Sequence, residues 1–302
     1  MNTLLKGVLF LVLLWVLSTG IASLFFVGGG IEFSGEKIAV IPIEGMLTLK
    51  GGGSLFSSTS SADMIVGQIQ SASEDPSVKG IVLDINSPGG TVMGSKVIVD
   101  AVQDVEKPVI AVVSEYGTSG AYWVASQADY IIADELSIVG SIGVLGSYLE
   151  FGGLLEDYNV TYQRLVVGEY KDISSPYREM TEEEEELLQE RLQGIYERFV
   201  ADVAVGRHMD VAEVEALADG LFYLGKDAVK NGLIDTLGDK EFAISVAEEL
   251  SGVTHGKVSE YENEDFFSGI VQEYLSYMSF YIGKGIGSVF FSVEGSELEI
   301  HL

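Results

Sequence analysis

Short apolar runs alternate with amphipathic segments through the first half of the chain. Four runs rich in β-branched residues are typical of buried strands: residues 37–43, 80–85, 108–113 and 130–133. The segments between them repeat apolar positions at helical spacing: residues 62–72, 91–102 and 120–127. Strands that alternate with helices predict parallel βαβ units, so the fold class is α/β.

The second half of the chain has a mainly helical pattern. Residues 182–205 predict one long amphipathic helix with an acidic first turn, and Thr181 with Glu184 fits a capping box at its start. Its apolar stripe consists of Leu187, Leu188, Leu192, Ile195, Phe199 and Val203. Shorter helices are predicted at residues 212–217, 227–230 and 240–250.

An apolar run at residues 8–27 predicts an N-terminal transmembrane helix. Twenty residues at 1.5 Å each span a hydrocarbon core of about 30 Å. Lys6 precedes the run and no basic residue follows it before Lys37, so the positive-inside rule exports the rest of the chain. A cleaved signal peptide, with a small-residue site at 20–22, is the alternative. Both interpretations place the following domain outside the cytoplasm.

Composition divides the chain into four predicted parts. Residues 1–27 are the signal anchor and residues 28–36 a Gly-rich linker. Residues 37–250 form the main domain, in which the Gly/Ser-rich segment 50–61 is either a linker or a flap beside a groove. Residues 251–302 are a tail whose apolar, Gly-broken stretch is expected to lie on a membrane surface or against a neighbouring subunit.

Charge and composition exclude several functions. The 302 residues include 17 Lys+Arg and 46 Asp+Glu, a net charge of -29, and such a surface repels nucleic acid. The acidity is interpreted as solubility, with steering of basic substrates as the alternative. The chain has no cysteine, and its 3 histidines have no metal-ligand spacing, so no metal site or other cofactor is predicted.

Two glycine-rich turns that follow strands are candidates for chemistry. Residues 84–90 (DINSPGG) lead into a helix whose first N–H groups could hold an oxyanion, or they form a plain tight turn. Residues 116–122 place Ser119 at the start of a helix, as a nucleophile or a simple cap. Because no histidine lies near either motif, a base would have to be a neutral lysine. Lys171 is the candidate, although it could equally be a surface residue.

An ordered set of motifs resembles the signal peptide peptidase A family in its short single-domain form. They are DINSPGG at 84–90, YGTSGAYWVASQAD at 116–129, GSIGV at 140–144, GEYKDISSPYREMTEEE at 168–184 and ADGLFYLGKDAVKNGLIDTLG at 218–238. The resemblance covers roughly residues 38–250. The chain lacks the family's more usual glycine pair after the serine, and residues 266–302 match no shared motif.

The resemblance implies a role for each matching position. Ser119 matches the nucleophile, Lys171 the general base and Ser141 a serine that orients the lysine. Gly89 matches an oxyanion-hole donor, with the Gly120 N–H as its partner. The implied fold is a Clp/crotonase-like spiral of ββα units. The implied assembly is a homo-oligomeric ring with sites at subunit boundaries.

The resulting hypothesis is a single-pass, membrane-anchored serine endopeptidase with a Ser-Lys dyad. Its catalytic domain would face the extracytoplasmic side, and its substrates would be signal-peptide remnants or other hydrophobic peptides. The chemistry needs no metal or nucleotide. Two alternatives are an acyl-CoA enzyme of the crotonase type, which fits poorly with export, and a non-catalytic peptide-binding membrane scaffold, which the presence of both Ser119 and Lys171 disfavours.

Overall fold

A computed structural model describes residues 35–50 and 59–261. The strands in these ranges are β1 Lys37–Glu44, β2 Met46–Thr48, β3 Thr59–Ser61, β4 Val78–Ser87, β5 Val109–Thr118, β6 Tyr130–Ala133, β7 Ile138–Gly140, β8 Phe222–Leu224, β9 Thr236–Leu237 and β10 Lys257–Glu260. The helices are α1 Ala62–Glu74, α2 Val92–Gln103, α3 Gly120–Ala125, α4 Gly152–Asp157, α5 Glu182–Arg207, α6 Val211–Leu217, α7 Gly225–Ala228 and α8 Lys240–Ser251.

The main sheet is parallel along its central path, as the alternating pattern predicts. Its strand order is β10-β1-β4-β5-β6-β9, while β7 pairs parallel with β5 and antiparallel with β8. One core cluster joins strand residues to two alanines of α8: Ile38, Val40, Val82, Ile110, Val112, Ile132, Ala243 and Ala247. Burial on both faces explains why these strands are nearly uniformly apolar.

Strand β5 is longer than the sequence pattern predicts. The apolar run ends at Val113, but the strand continues to Thr118. The interpretation of residues 116–118 as part of a turn was wrong, because they pair in parallel with β7. Ser119 therefore follows the strand directly, with no loop between β5 and α3.

Six short strands lie where the sequence predicts none: β2, β3, β7, β8, β9 and β10. Two of them, β3 and β10, lie in partly polar segments. Thr59–Ser61, at the end of the Gly/Ser-rich segment, pairs with β2. Lys257–Glu260 pairs with the outer edge of β1, so the sheet continues past the predicted domain end at residue 250. Their short and partly polar sequences carry no strand signal of their own, because the pairing partner supplies the order.

The predicted N-terminal anchor, the linker up to residue 34 and the tail from residue 262 lie outside the described residues. The same is true of residues 51–58 of the Gly/Ser-rich segment. Among the residues that the structure does describe, no helix combines the length and the apolar character needed to cross a bilayer.

The long helix α5 and its capping box are confirmed. The Thr181 hydroxyl accepts from the Glu184 N–H, and the Glu184 carboxylate accepts from the Thr181 N–H. The predicted apolar stripe is buried only in its C-terminal half, at Phe199 and Val203. There Phe199 stacks on Trp123 of α3 at 4.9 Å. The other four stripe residues are half-buried: Leu187, Leu188, Leu192 and Ile195.

The packing of α5 beside α3 predicts opposite effects for two glycines of the same helix. A Cβ at Gly206 would overlap the backbone oxygen of Ser126, whereas a Cβ at Gly194 meets nothing within 4 Å. We expect Gly206→Ala to destabilise the fold by about 1–3 kcal/mol through overpacking. We expect Gly194→Ala to stabilise it by about 0.5–1 kcal/mol through helix propensity. Denaturant unfolding of both variants measures this, and equal effects would contradict the packing.

Candidate active site

Ser119 occupies a strained backbone position at the junction of β5 and α3. Its φ is 53°, a left-handed value that is uncommon for a serine. The Ser119 N–H donates to the Gly140 oxygen at 2.8 Å, and the Ser119 carbonyl accepts from the Trp123 N–H at 3.0 Å. All six residues of α3 are buried, so the half-buried serine is held between a strand end and a fixed helix.

Ser141 lies beside Ser119 because of strand register. Thr118 of β5 pairs with Gly140 of β7, so the two serines leave the same edge of a parallel sheet at the same level. Ser141 also has a left-handed φ, 51°. Its N–H donates to the Leu221 oxygen at 3.0 Å, and its hydroxyl donates to the Gly220 oxygen at 2.9 Å.

Gly89 reaches the same edge from β4. Its φ is 97°, and a Cβ there would lie 2.7 Å from the Gly120 nitrogen and 2.9 Å from the Ser119 Cβ. The Gly120 N–H belongs to the first residue of α3, where a helix cannot satisfy its own donors. The Gly89 N–H donates to the Ser87 hydroxyl at 3.1 Å. Two backbone amides thus flank the serine, one of them already bonded within the chain.

Ser95 is a residue of this site that the sequence analysis missed. It lies on α2 and is 1% exposed, and its hydroxyl has no hydrogen-bond partner among the described residues. A Cβ on Gly120 would overlap the Ser95 hydroxyl. Ser95 lies four residues after Thr91, on the helix that follows DINSPGG. Residues at this spacing share one face of a helix, and this was the clue in the sequence that Ser95 lies near the glycine-rich turn.

A cavity of about 490 Å³ opens at the two serines. Its lining includes one carboxylate, that of Asp219, and one phenol, that of Tyr196. The Tyr196 hydroxyl donates to the Ala218 oxygen at 3.0 Å, and burial raises the pKa of Tyr196. The remaining lining residues are small or aliphatic: Gly143, Val144, Leu145, Ala218 and Gly220. The cavity surface thus combines polar groups with small and aliphatic ones.

Lys171 is not brought to this cavity within one chain. It is exposed, lies in a series of turns before α5, and is not among the residues that line the cavity. Its backbone N–H donates to the Gly168 oxygen at 3.1 Å. Within the described ranges, its side-chain amine has no hydrogen bond or ion pair. Ser119 and Ser141 line the cavity, and Gly89 and Gly120 lie against Ser119, whereas Lys171 is not among the lining residues.

The carboxylate next to Lys171 is bound by arginines instead. Arg164 contacts both oxygens of Asp172 at 2.7 Å, and Arg178 contacts the same oxygens at 3.1 and 3.2 Å. Hydrogen bonds from these two guanidinium groups hold the pKa of Asp172 well below its usual range. No cluster of three or more potential metal ligands is present among the described residues.

Comparison with protein families identifies the chain. The model of peptidase family S49 matches residues 101–254, which include Ser119, Ser141 and Lys171. The chain belongs to peptidase family S49. A Clp protease family model also matches residues 55–132, and this agrees with the mixed α/β fold and the Clp-like domain that the sequence predicted.

Three relatives of this S49 peptidase agree with the assignment. It is 37% identical over 270 residues to a protein of Methanocaldococcus jannaschii provisionally named a protease, covering 87% of this chain and 85% of that one. It is 36% identical over 235 residues to a protein of Enterococcus faecium provisionally named signal peptide peptidase SppA, covering 76% and 68%. It is 33% identical over 218 residues to Protease 4 of Haemophilus influenzae, covering 71% and 35%. The chain is a serine protease of the signal peptide peptidase A type, as its motifs predicted.

The contact between Ser95 and Gly120 predicts a rescue experiment on this S49 peptidase. We expect Gly120→Ala to slow labelling of the protein by a serine-reactive fluorophosphonate by about tenfold or more, because the methyl group displaces the first turn of α3. Adding Ser95→Gly removes both overlapping side-chain atoms and should restore much of the labelling rate. Its cost is about 1 kcal/mol of helix stability.

The labelling rate and the unfolding temperature of both variants are to be measured together. Ser95→Gly alone is the matched control and should label at nearly the unmodified rate. A double variant that labels no faster than Gly120→Ala would show that the close contact does not control the serine.

Proposed function

We propose that this S49 peptidase is a membrane-anchored endopeptidase in which Ser119 attacks the peptide bond and Lys171 is the general base. The observation that carries the proposal is the meeting of Ser119, Ser141 and two glycine amides at one sheet edge beside an open cavity. A strained serine at the start of a helix, next to backbone donors, is the arrangement that acyl transfer requires.

The proposed reaction proceeds in two steps. Neutral Lys171 takes the proton of the Ser119 hydroxyl as its oxygen bonds to the peptide carbonyl carbon. The N–H groups of Gly89 and Gly120 stabilise the oxyanion, and the Gly89 N–H exchanges its Ser87 acceptor for the substrate. The protonated lysine then gives its proton to the leaving amine as the C–N bond breaks. Lys171 then deprotonates a water that attacks the acyl carbon, the ester C–O bond to Ser119 breaks, and the lysine returns the proton to the Ser119 oxygen.

The lysine would be supplied by a second copy of the chain. Lys171 is exposed and is not among the residues that line the cavity of its own chain, which favours a dyad formed with the serine of a neighbour. The segment between β7 and α5 exposes large apolar side chains, among them Leu165 at 99% and Val167 at 97%. Exposed apolar patches of this kind mark protein contacts. A head-to-tail ring would cover them and place each Lys171 beside a neighbouring Ser119.

Substrate class and location complete the proposal. Two aliphatic residues of the cavity lining, Val144 and Leu145, favour peptides with hydrophobic side chains. The relative named for signal peptide peptidase supports signal-peptide remnants as one source of such peptides. The apolar run at residues 8–27 would anchor the chain in the cytoplasmic membrane, with the catalytic domain on the extracytoplasmic side. The apolar stretch of the tail, residues 266–293, is a further candidate for contact with the membrane or a subunit.

The shared dyad predicts complementation between two inactive variants. Ser119→Ala and Lys171→Ala should each lose at least about a hundredfold in peptidase activity, because one lacks the nucleophile and the other the base. Mixed in equal amounts and reassembled, the two variants should recover up to about one quarter of the unmodified activity. A complete site needs a chain that keeps Ser119 next to a chain that keeps Lys171, and about one boundary in four of a randomly mixed ring has this order.

Peptide cleavage before and after reassembly measures this recovery. Lys171→Arg is the matched variant and should stay inactive, because its guanidinium remains protonated. Substantial activity of Lys171→Ala alone would remove the lysine from the mechanism. A mixture that stays inactive while both variants assemble normally would place the dyad within one chain.

The anchor predicts membrane association that depends on residues 1–36. The full-length chain should sediment with membranes and resist carbonate extraction, since about twenty apolar residues span the bilayer. A variant that begins at residue 37 should remain in the supernatant and still react with a fluorophosphonate. Mass spectrometry of the membrane-bound protein locates its N-terminus, and a soluble mature form that begins near Ser23 would contradict the anchor.

A further inference from the structure

We propose that Arg164 and Arg178 are positioning residues that sequester Asp172 and thereby keep the adjacent Lys171 amine free of a carboxylate partner. The inference rests on the proposed function, in which Lys171 must be neutral to act as a base. It adds that the hydrogen bonds of the turn preceding α5 favour the neutral state of Lys171.

The contact with Arg164 is bidentate. Its Nε donates to one oxygen of Asp172 and its Nη2 donates to the other, both at 2.7 Å. The same Nη2 also donates to the Glu169 backbone oxygen at 3.1 Å. Arg164 therefore binds the chain on both sides of Lys171 and fixes the direction in which the Asp172 carboxylate points.

Arg178 approaches Asp172 from the other side and ties it to α5. Its Nε and Nη2 donate to Asp172 at 3.1 and 3.2 Å, and its Nη1 and Nη2 donate to Glu184 at 2.7 and 2.5 Å. Glu184 is 5% exposed and also accepts from the Thr181 N–H at 3.0 Å as part of the capping box. The lysine turn is thus anchored to the start of the long helix.

The charges around Lys171 balance within this network. Arg164 and Arg178 carry two positive charges, and Asp172 and Glu184 carry two negative charges. Hydrogen bonds to Arg178 and the capping box lower the pKa of Glu184 to about 2, so the balance persists at every assay pH. Asp172 likewise stays ionised, since its pKa lies well below its usual range.

Two further carboxylates belong to this region. Glu183 accepts from the Tyr170 hydroxyl at 2.7 Å, and this bond raises the pKa of Tyr170 to about 12. Glu169 precedes Lys171 by two residues and is exposed. In an assembled site, Asp219 of the cavity would also face the amine. These groups are unchanged in the variants below, so they do not affect the comparison between them.

Asp172 is the carboxylate best placed to disable the base. It is adjacent in sequence, within a tight turn closed by a bond from the Ile173 N–H to the Tyr170 oxygen at 3.2 Å. A free carboxylate within about 4–6 Å of an amine favours the protonated form. Removing both arginines would release Asp172 to pair with Lys171, and base catalysis would then require a higher pH.

The test is the pH dependence of kcat/KM for a series of full-length variants. The midpoint of its rise with pH should move upward slightly in Arg164→Gln and in Arg178→Gln, and by about one unit in the double variant. Adding Asp172→Asn to the double variant should return the midpoint close to the unmodified value. A purely structural role would lower activity without this reversible displacement.

Arg191→Gln is the matched control. Arg191 lies on α5, is 69% exposed and, among the described residues, pairs only with Glu190, so the substitution removes one positive charge, as each single arginine variant does, without reaching Asp172. Its profile should not move. A midpoint that is unchanged in the double variant, or that Asp172→Asn does not reverse, would overturn the proposal. Loss of activity in both the double and the triple variant would count against it equally, because the network would then only support folding.

The same series separates this inference from the proposed function. If Lys171→Ala remains active, the dyad itself is wrong, whatever the arginine variants do. If Lys171→Ala is inactive and the double arginine variant keeps the unmodified midpoint, the dyad stands and the sequestering role is wrong. Fluorophosphonate labelling of Ser119 in each variant shows whether the serine site is intact.

Discussion

Strand β5 pairs in parallel with both β4 and β7, and the geometry of the site depends on these two pairings. Ser87 is in register with Gly117, and Thr118 with Gly140. Because the three strands end at one edge, the residues that follow them converge there. The carboxyl edge of a parallel sheet is the general location of ligand sites in α/β proteins, and here it is also where the backbone leaves its ordinary conformation. Four residues at this edge have positive φ: Gly89, Ser119, Gly140 and Ser141.

The strain at this edge is held by the packing around α3. Trp123 stacks on Phe199, and its indole N–H donates to Asp202 at 3.1 Å. The Tyr122 hydroxyl, fully buried, donates to the Leu233 oxygen at 2.8 Å. Buried polar groups that are fully paired fix the position of a helix more sharply than apolar contact alone. The serine at the head of α3 therefore depends on residues more than seventy positions further along the chain.

The position of Lys171 depends on different contacts. Hydrogen bonds and ion pairs of Arg164, Asp172 and Arg178 fix its turn, while the sheet contributes nothing to it directly. The carboxylates of Asp172 and Glu184 are largely buried and Arg164 binds both oxygens of Asp172, so the network holds the turn as well as balancing the charge near the lysine. A serine held by a rigid sheet and a lysine held by an ionic turn are compatible with a site completed by two chains.

The sequence by itself determined the α/β class, the capped helix α5 and the family, because these depend on local periodicity and on motifs of fixed spacing. It also singled out the candidate site residues: Ser119, Lys171, Ser141, Gly89 and Gly120. It missed the extension of β5, the edge strand β10 and Ser95, and it did not show the arginine partners of Asp172. These features depend on strand register and on side chains that meet across the chain. Only the tertiary structure could decide them, because pairing energy and close packing arise between segments whose own sequences carry no signal of the contact.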